Sequence, residues 1–260
     1  MSTDMSTAKD LTLTAAGEMF GDKDVSAVDR WVAPGYIQHN ATVADGPEGI
    51  RALVASLGPD FRYELHRVIA DGDEVALHGT YQGFGPKPTV AFDIFKVKDG
   101  KLVEHWDALQ AQADPGTTAS GRSETDGPTE VTDPDRTEAN RALVTDLINQ
   151  VFLAGKGDIT DYISTTQYDQ HNRYIADGLA GLGAGMAAFA EQGNAMAYHT
   201  LHKVIAEGNF VLTVAEGALG DTPTAFYDLF RVQDGKVVEH WDITPAIPDA
   251  STIPHDNGLF

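Results

Sequence analysis

Apolar and polar positions in this chain change period once, and the whole sequence of changes then repeats. From residue 7 to 32 apolar residues fall at helical spacing: Leu11, Ala15, Met19 and Phe20 first, then Val25, Val28 and Trp31 after a break at Gly21-Asp22. Pro34-Gly35 predicts the end of the second helix. Residues 36–40 read as a short strand, and Pro47 as the first turn of a third helix over 48–56. Beyond Gly58-Pro59 the period drops to two. Strands are predicted over 61–70 and 74–81, then a loop at 83–88 and a hairpin over 93–107.

That hairpin occurs twice, as DIFKVKDGKLVEHWD over 93–107 and as DLFRVQDGKVVEHWD over 228–242. Asp-Gly between alternating apolar runs predicts a type I′ turn, which needs positive φ at both central residues. Strict alternation puts Val103, His105 and Asp107 on one face and Leu102, Glu104 and Trp106 on the other. In the second copy Val238, His240 and Asp242 oppose Val237, Glu239 and Trp241. Earlier segments correspond as well. Residues 168–172 answer 36–40, Asp177-Gly178 answers Asp45-Gly46, 202–208 answers 66–72, and Ser120-Gly121 loosely answers Asn257-Gly258. An amphipathic helix over 139–154 opens the second copy, after a Gly/Pro/Ser/Thr/Asp-rich stretch over 112–134.

Helices precede strands in each copy, so the fold class is α+β. Each copy is expected to wrap a curved antiparallel sheet on a helical hairpin and enclose a conical cavity. An internal repeat of this length predicts two domains: 1–113, a linker over 114–133, and 134–260 with a C-terminal tail. A Trp-bearing sheet back is hard to leave in water, so the two repeats are expected to pair as an intramolecular pseudo-dimer. A homo-oligomer is compatible with this.

The runs Tyr-Ile-Gln-His-Asn…Ala-Asp-Gly, His-Arg-Val-Ile-Ala-Asp-Gly-Asp and Asp-Gly-Lys-Leu-Val-Glu-His-Trp-Asp resemble the SnoaL-like polyketide cyclase group. That group, whose usual label is SnoaL-like aldol condensation-catalysing enzyme, lies in the nuclear transport factor 2-like superfamily. The resemblance runs once through each half and is strongest over 126–260. It implies two tandem cone-shaped domains and a catalytic Asp or His late in each sheet. The superfamily hosts cyclases, ketosteroid isomerases, epoxide hydrolases and plain binding proteins.

Composition narrows the chemistry. The 260 residues include no cysteine, which removes disulfides, thiolate nucleophiles and cysteine metal sites. With 39 acidic against 18 basic residues the net charge is −21, a field that repels nucleic acid and anionic lipid. The N-terminus shows no signal-peptide pattern and no stretch has the length of a membrane span, so a cytoplasmic protein is expected. No phosphate loop or nucleophile elbow is present, and no cofactor is implied.

Six of the nine histidines fall in matched pairs: His39 with His171, His66 with His202, His105 with His240. Three readings stay open. In the first, His and Asp do acid–base work on a small apolar or carbonyl-containing ligand, taking a proton α to a carbonyl. His105 and Asp107 with His39 across the cavity serve one half, and His240 and Asp242 with His171 the other. Tyr36, His66 and His78, and Tyr168 and His202, would line the pockets. In the second reading the histidines and Asp107 or Asp242 bind a metal, though no dedicated motif is present. In the third these groups are structural and the module only binds a ligand or partner. The matched Asp93 and Asp228 are expected to bond a neighbouring strand or loop. Glu216, in place of Thr80, adds a carboxylate that favours activity in the second half, and with Asp242 it could support epoxide opening there.

Overall fold

The computed structural model describes residues 5–260. The N-terminal signal-peptide reading therefore falls partly on residues 1–4, outside the described residues. The chain divides into two compact units: Met1–Ala111 completed by Pro248–Phe260, and Gln112–Ile247. The tail expected to trail the second domain thus packs on the first unit, and the 112–133 stretch packs on the second.

The first unit begins with α1 (Met5–Ala16), whose last turn widens to π geometry over Gly17–Gly21. Then come α2 (Ala27–Trp31), β1 (Val32–Gln38), α3 (Gly46–Ser56), β2 (Arg62–Asp71), β3 (Glu74–Gln82), β4 (Thr89–Lys98) and β5 (Lys101–Ala111). The sheet order is β1-β5-β4-β3-β2. All neighbours are antiparallel except β1, which joins β5 in parallel at the edge. Pro34 lies inside β1 rather than ending a helix. It is tolerated because the β1 ladder is irregular between Val32 and Ile37, so no rung needs its missing N–H.

The second unit repeats this as α4 (Thr137–Asp146), a π turn over Leu147–Leu153, β6 (Asp169–Gln170), α5 (Gly178–Glu191), β7 (Met196–Glu207), β8 (Phe210–Leu219), β9 (Thr222–Gln233) and β10 (Lys236–Ile243). Its order is β6-β10-β9-β8-β7. Each unit has its own core between helices and sheet, with Met19, Phe20, Ile50, Val54 and Leu77 in the first and Leu147, Ile148, Leu182, Phe226 and Phe230 in the second. Trp106 and Trp241 are both buried. Among the described residues no helix is long and apolar enough to cross a membrane.

Both hairpin turns take the expected form, with positive φ at Asp99 and Gly100 and at Asp234 and Gly235. The face assignment needs one correction. Val97 pairs with Leu102 but Lys96 with Glu104, so Val103 is an extra residue, a β-bulge. The bulge resets the alternation: Leu102 lines the interior with His105 and Asp107, while Glu104 and Trp106 stay on the outer face. Val238 bulges in the same way in β10, and Val237 turns into the core.

Candidate active site

The hairpin places two carboxylates directly opposite each other. Asp93 of β4 pairs with Asp107 of β5, and Phe95 pairs with His105. Like charges facing across a ladder are unfavourable, yet the second unit keeps the same pair, Asp228 opposite Asp242. A histidine sits among them in each case, and the ligand atoms of Asp93, His105 and Asp107 lie within 4.8 Å of one another.

In the first unit His105 Nε2 contacts Asp93 Oδ1 at 3.3 Å and Nδ1 contacts Gln38 Oε1 at 2.9 Å. The Gln38 oxygen also accepts the Asn40 backbone N–H at 2.9 Å, which fixes which end of the amide faces His105. Both ring nitrogens therefore face acceptors, the arrangement of an imidazolium. Burial alone would depress the His105 pKa, but the bond to Asp93 and the charges of Asp107 and Asp93 raise it above its ordinary value. The Tyr81 hydroxyl donates to Asp93 Oδ2 at 3.0 Å. Asn40 Nδ2 donates to Asp107 Oδ2 at 2.6 Å. Burial pushes the Asp107 carboxyl up to about 6; His105 and Asn40 oppose the rise and Asp93 adds to it.

These groups line a cavity of about 340 Å³ whose walls are otherwise mainly apolar, including Met19, Phe20, Ile50, Leu53 and Phe84. Tyr36 lines it too.

The second unit reproduces the polar set. His240 contacts Asp228 and Gln170 at 3.1 Å each, Asn172 Nδ2 donates to both oxygens of Asp242, and Tyr198 donates to Asp228 at 3.0 Å. Burial pushes Asp242 up to about 6 as well, opposed by His240. What differs is space: the matching cavity, which Tyr168 lines, holds about 20 Å³. That is room for about one water. The tyrosine that reaches the aspartate has moved strands. In the first unit it is Tyr81 on β3, paired with Tyr63; in the second it is Tyr198 on β7, paired with Gly217. Gly217 leaves the room: a Cβ there would come within 2.9 Å of Phe226, the ring on which Tyr198 stacks. Phe152, Met186 and Met196 close the remaining volume. The expectation that the second half is the better seat of activity is thus opposed by its geometry.

Several expected site residues lie elsewhere. His39 is on the outer face, stacked on Trp106 with centroids 4.8 Å apart and bonded to Glu104 at 2.9 Å. His171 does the same with Trp241 and Glu239. Neither converges with its aspartate, because Gln38 and Asn40 take the inward positions of that run and the intervening residue must point out. Burial would raise Glu239, but its bonds to His171 and Arg231 hold it below its ordinary value. Glu216 is also outside. Its side chain is 45% exposed and contacts His202 at 3.3 Å, as Thr80 contacts His66 at 2.8 Å. His78 is buried on the outer side of the sheet, its Nδ1 accepting from Arg67 Nη1 at 3.1 Å and its ring stacked on Phe92. His66, His78 and His202 line neither of these two cavities.

For the exposed pair, Glu216→Gln is expected to change stability by less than about 0.5 kcal/mol. Denaturant midpoints of the two chains check this, and a loss above about 1 kcal/mol would mean that Glu216 has a buried role.

The residues missed from sequence are Gln38, Asn40 and Tyr81 with their counterparts Gln170, Asn172 and Tyr198; Asp93 and Asp228 do bond neighbouring strands as expected, but their place in the cluster was not foreseen. A signal for most of them was present. Tyr36, Gln38 and Asn40 share strand parity, as Asp93 does with Phe95. Among the described residues the Asp93–His105–Asp107 cluster and its second copy are the groups near enough to share a cation. His105 already has both nitrogens engaged, with Asp93 and Gln38.

Residues 14–105 match the family model described as a SnoaL-like domain. No match is found among curated proteins. Solved structures similar to this chain include IdmH of Streptomyces antibioticus, described as a candidate polyketide cyclase. It is 19% identical, with 40% of this chain and 92% of that one covered, at a TM-score of 0.34. An LEH-like epoxide hydrolase of M. tuberculosis is 20% identical, covering 41% and 85%, at 0.36. A steroid delta-isomerase of Pseudomonas aeruginosa is 18% identical, covering 42% and 84%, at 0.35.

Proposed function

With residues 14–105 a SnoaL-like domain and the α+β cone repeated in tandem, we propose that the first unit is a cofactor-free acid–base catalyst acting on a small, largely apolar carbonyl compound. The observation that supports this most is the convergence of Asp107, His105 and Asp93 on an apolar cavity of about 340 Å³. Asp107, with its carboxyl near 6, is mostly ionised at neutral pH yet basic enough to hold a proton. Asn40 occupies Oδ2, and Oδ1 remains to take the proton α to a bound carbonyl. The electron pair of the broken C–H bond moves onto the carbonyl oxygen as an enolate. The imidazolium of His105 stabilises that charge in a site of low polarity. The proton held on Asp107 then returns, to another carbon in an isomerisation or to the new alkoxide in an aldol ring closure.

The facing carboxylates favour one further reading, epoxide opening. Asp107 would take a proton from a water whose oxygen attacks an epoxide carbon. The C–O bond would break under the field of the His105 imidazolium, and the proton held on Asp107 would pass to the new alkoxide to give a diol. The two are told apart in heavy-oxygen water, which labels a diol product and leaves a carbon-bound proton exchange unlabelled. The second unit, with only about 20 Å³ beside its matching cluster, is read as non-catalytic.

The test is exchange of α-protons for deuterium, followed by NMR, across a panel of small cyclic ketones and diketones. Exchange by the wild-type chain and by Asp242→Asn, but not by Asp107→Asn, is the expected pattern. Equal exchange by all three chains would sink the assignment.

A further inference from the structure

We propose that His255 and Asn257, at the end of the chain, are positioning residues for the first unit's site, holding the end of β1 so that Gln38 and Asn40 meet His105 and Asp107. This rests on reading the first cavity as the reactive one.

β1 is an edge strand with an irregular ladder; its last regular rungs are Ile37 with Glu104 and Gln38 with His105. Both polar residues that orient the site lie at or just past those rungs, where the last backbone bond runs from the His39 N–H to the His105 carbonyl at 2.9 Å. The tail bonds three successive residues there. Asn257 Nδ2 donates to the Gln38 carbonyl at 3.0 Å, His39 Nδ1 contacts the Gly258 carbonyl at 3.0 Å, and His255 Nε2 donates to the Asn40 carbonyl at 2.9 Å. Asn257 also donates to Asp45 Oδ1 at 2.8 Å, and that oxygen accepts the Gln38 N–H at 2.9 Å. The tail thus ties down the strand end and the loop anchor beside it. Gly258 turns its carbonyl to His39 at φ +78°, a conformation that favours glycine.

The second unit uses a different segment for the same task, which argues that the clamp is a feature of the fold. Ser120 Oγ donates to the Gln170 carbonyl at 2.6 Å, and the Ser123 carbonyl meets His171 Nδ1 at 2.7 Å. Arg122 reaches Asp177, whose Oδ1 accepts the Gln170 N–H at 2.8 Å. Gly121 has φ +78°, matching Gly258. Each clamp follows the last strand of one repeat and belongs to the unit built on the other.

The experiment is carboxylate-carbon NMR titration of the full chain, with Asp107 and Asp242 each reporting on its own unit. It needs no substrate, so an absence of turnover would count against the proposed function and leave this result readable. In His255→Ala and Asn257→Ala the bond from Asn40, which favours ionised Asp107, is loosened. The Asp107 midpoint is expected to rise by roughly half to one pH unit, with Asp242 unmoved. Arg122→Ala is expected to move Asp242 and leave Asp107. His255→Gln, which keeps a donor, is expected to restore much of the wild-type midpoint and serves if the alanine variants fold poorly. An unchanged Asp107 midpoint in folded Asn257→Ala or His255→Ala chains, or equal movement of both aspartates, would overturn the proposal.

Discussion

Asp107→Asn is expected to abolish proton transfer in the first cavity and, at the same time, to stabilise the chain above pH 6. The catalytic loss should be about 10²–10⁴-fold, the usual contribution of a positioned base. The gain in stability follows from the same burial. Asp107 is raised from its ordinary value of 3.8 to about 6 in the folded chain. Between those values the folded state binds more protons than the unfolded one, so this group lowers stability as pH rises through that window. Asparagine does not titrate, still accepts from Asn40 and escapes the penalty. The difference should be on the order of 1–3 kcal/mol at pH 8 and should vanish below about pH 4. Asp242→Asn should show the same gain, since its carboxyl is raised for the same reason, without the loss of proton transfer. Calorimetric melting curves at pH 4 and pH 8 check this. A variant no more stable than wild type at pH 8 would mean that solvent reaches Asp107 and that burial does not strain it.

Asp93→Asn should act in the opposite direction. Asp93 accepts from Tyr81 through one oxygen and faces His105 Nε2 through the other. An asparagine offers one acceptor, and its amide N–H₂ would be turned toward a donor. It would also leave the His105 imidazolium without its partner inside the cone. Removing one member of a buried pair costs about 3–5 kcal/mol. The pH dependence carries a definite sign. The His105 pKa is raised in the folded chain, so its contribution is full below the unfolded value of about 6.5 and fades as pH rises through the folded one. The penalty in Asp93→Asn should therefore be largest near pH 5–6 and shrink in alkaline solution. Urea unfolding of both chains across pH 5–9 measures it. A pH-independent penalty would place the loss in the Tyr81 bond and not in the ion pair.

The architecture could be read from sequence because its signals are local. Two-residue alternation and Asp-Gly turns fix hairpins within about fifteen residues, and the second copy of each pattern doubles the signal. His105, Asp107, His240 and Asp242 were legible for the same reason, since strand parity carries a side chain to the inner face. Parity misled at Leu102 and Val237, where one extra residue in the strand flips the alternation and leaves no mark in the apolar pattern. His39 and His171 were misplaced differently. Their matched retention suggested chemistry, but each instead stacks on a tryptophan and holds a clamp segment whose sequence distance from it is large.

By itself, then, the sequence determined the tandem repeat, the α+β class and the pairing of an inward His with an inward Asp in each hairpin. These follow from backbone periodicity and turn conformation, which act between near neighbours. The tertiary structure alone decided which repeat has room for a ligand beside its His–Asp cluster. The polar groups are nearly the same in both; the difference between about 340 and about 20 Å³ arises because Tyr198 comes from a different strand than Tyr81, and side chains from α5 and β7 close the space. It also decided that Asp93 and Asp228 complete the clusters, and that the chain's last residues belong to its first unit. Volume and long-range closure depend on how distant side chains pack against one another, and no local period along the chain encodes that.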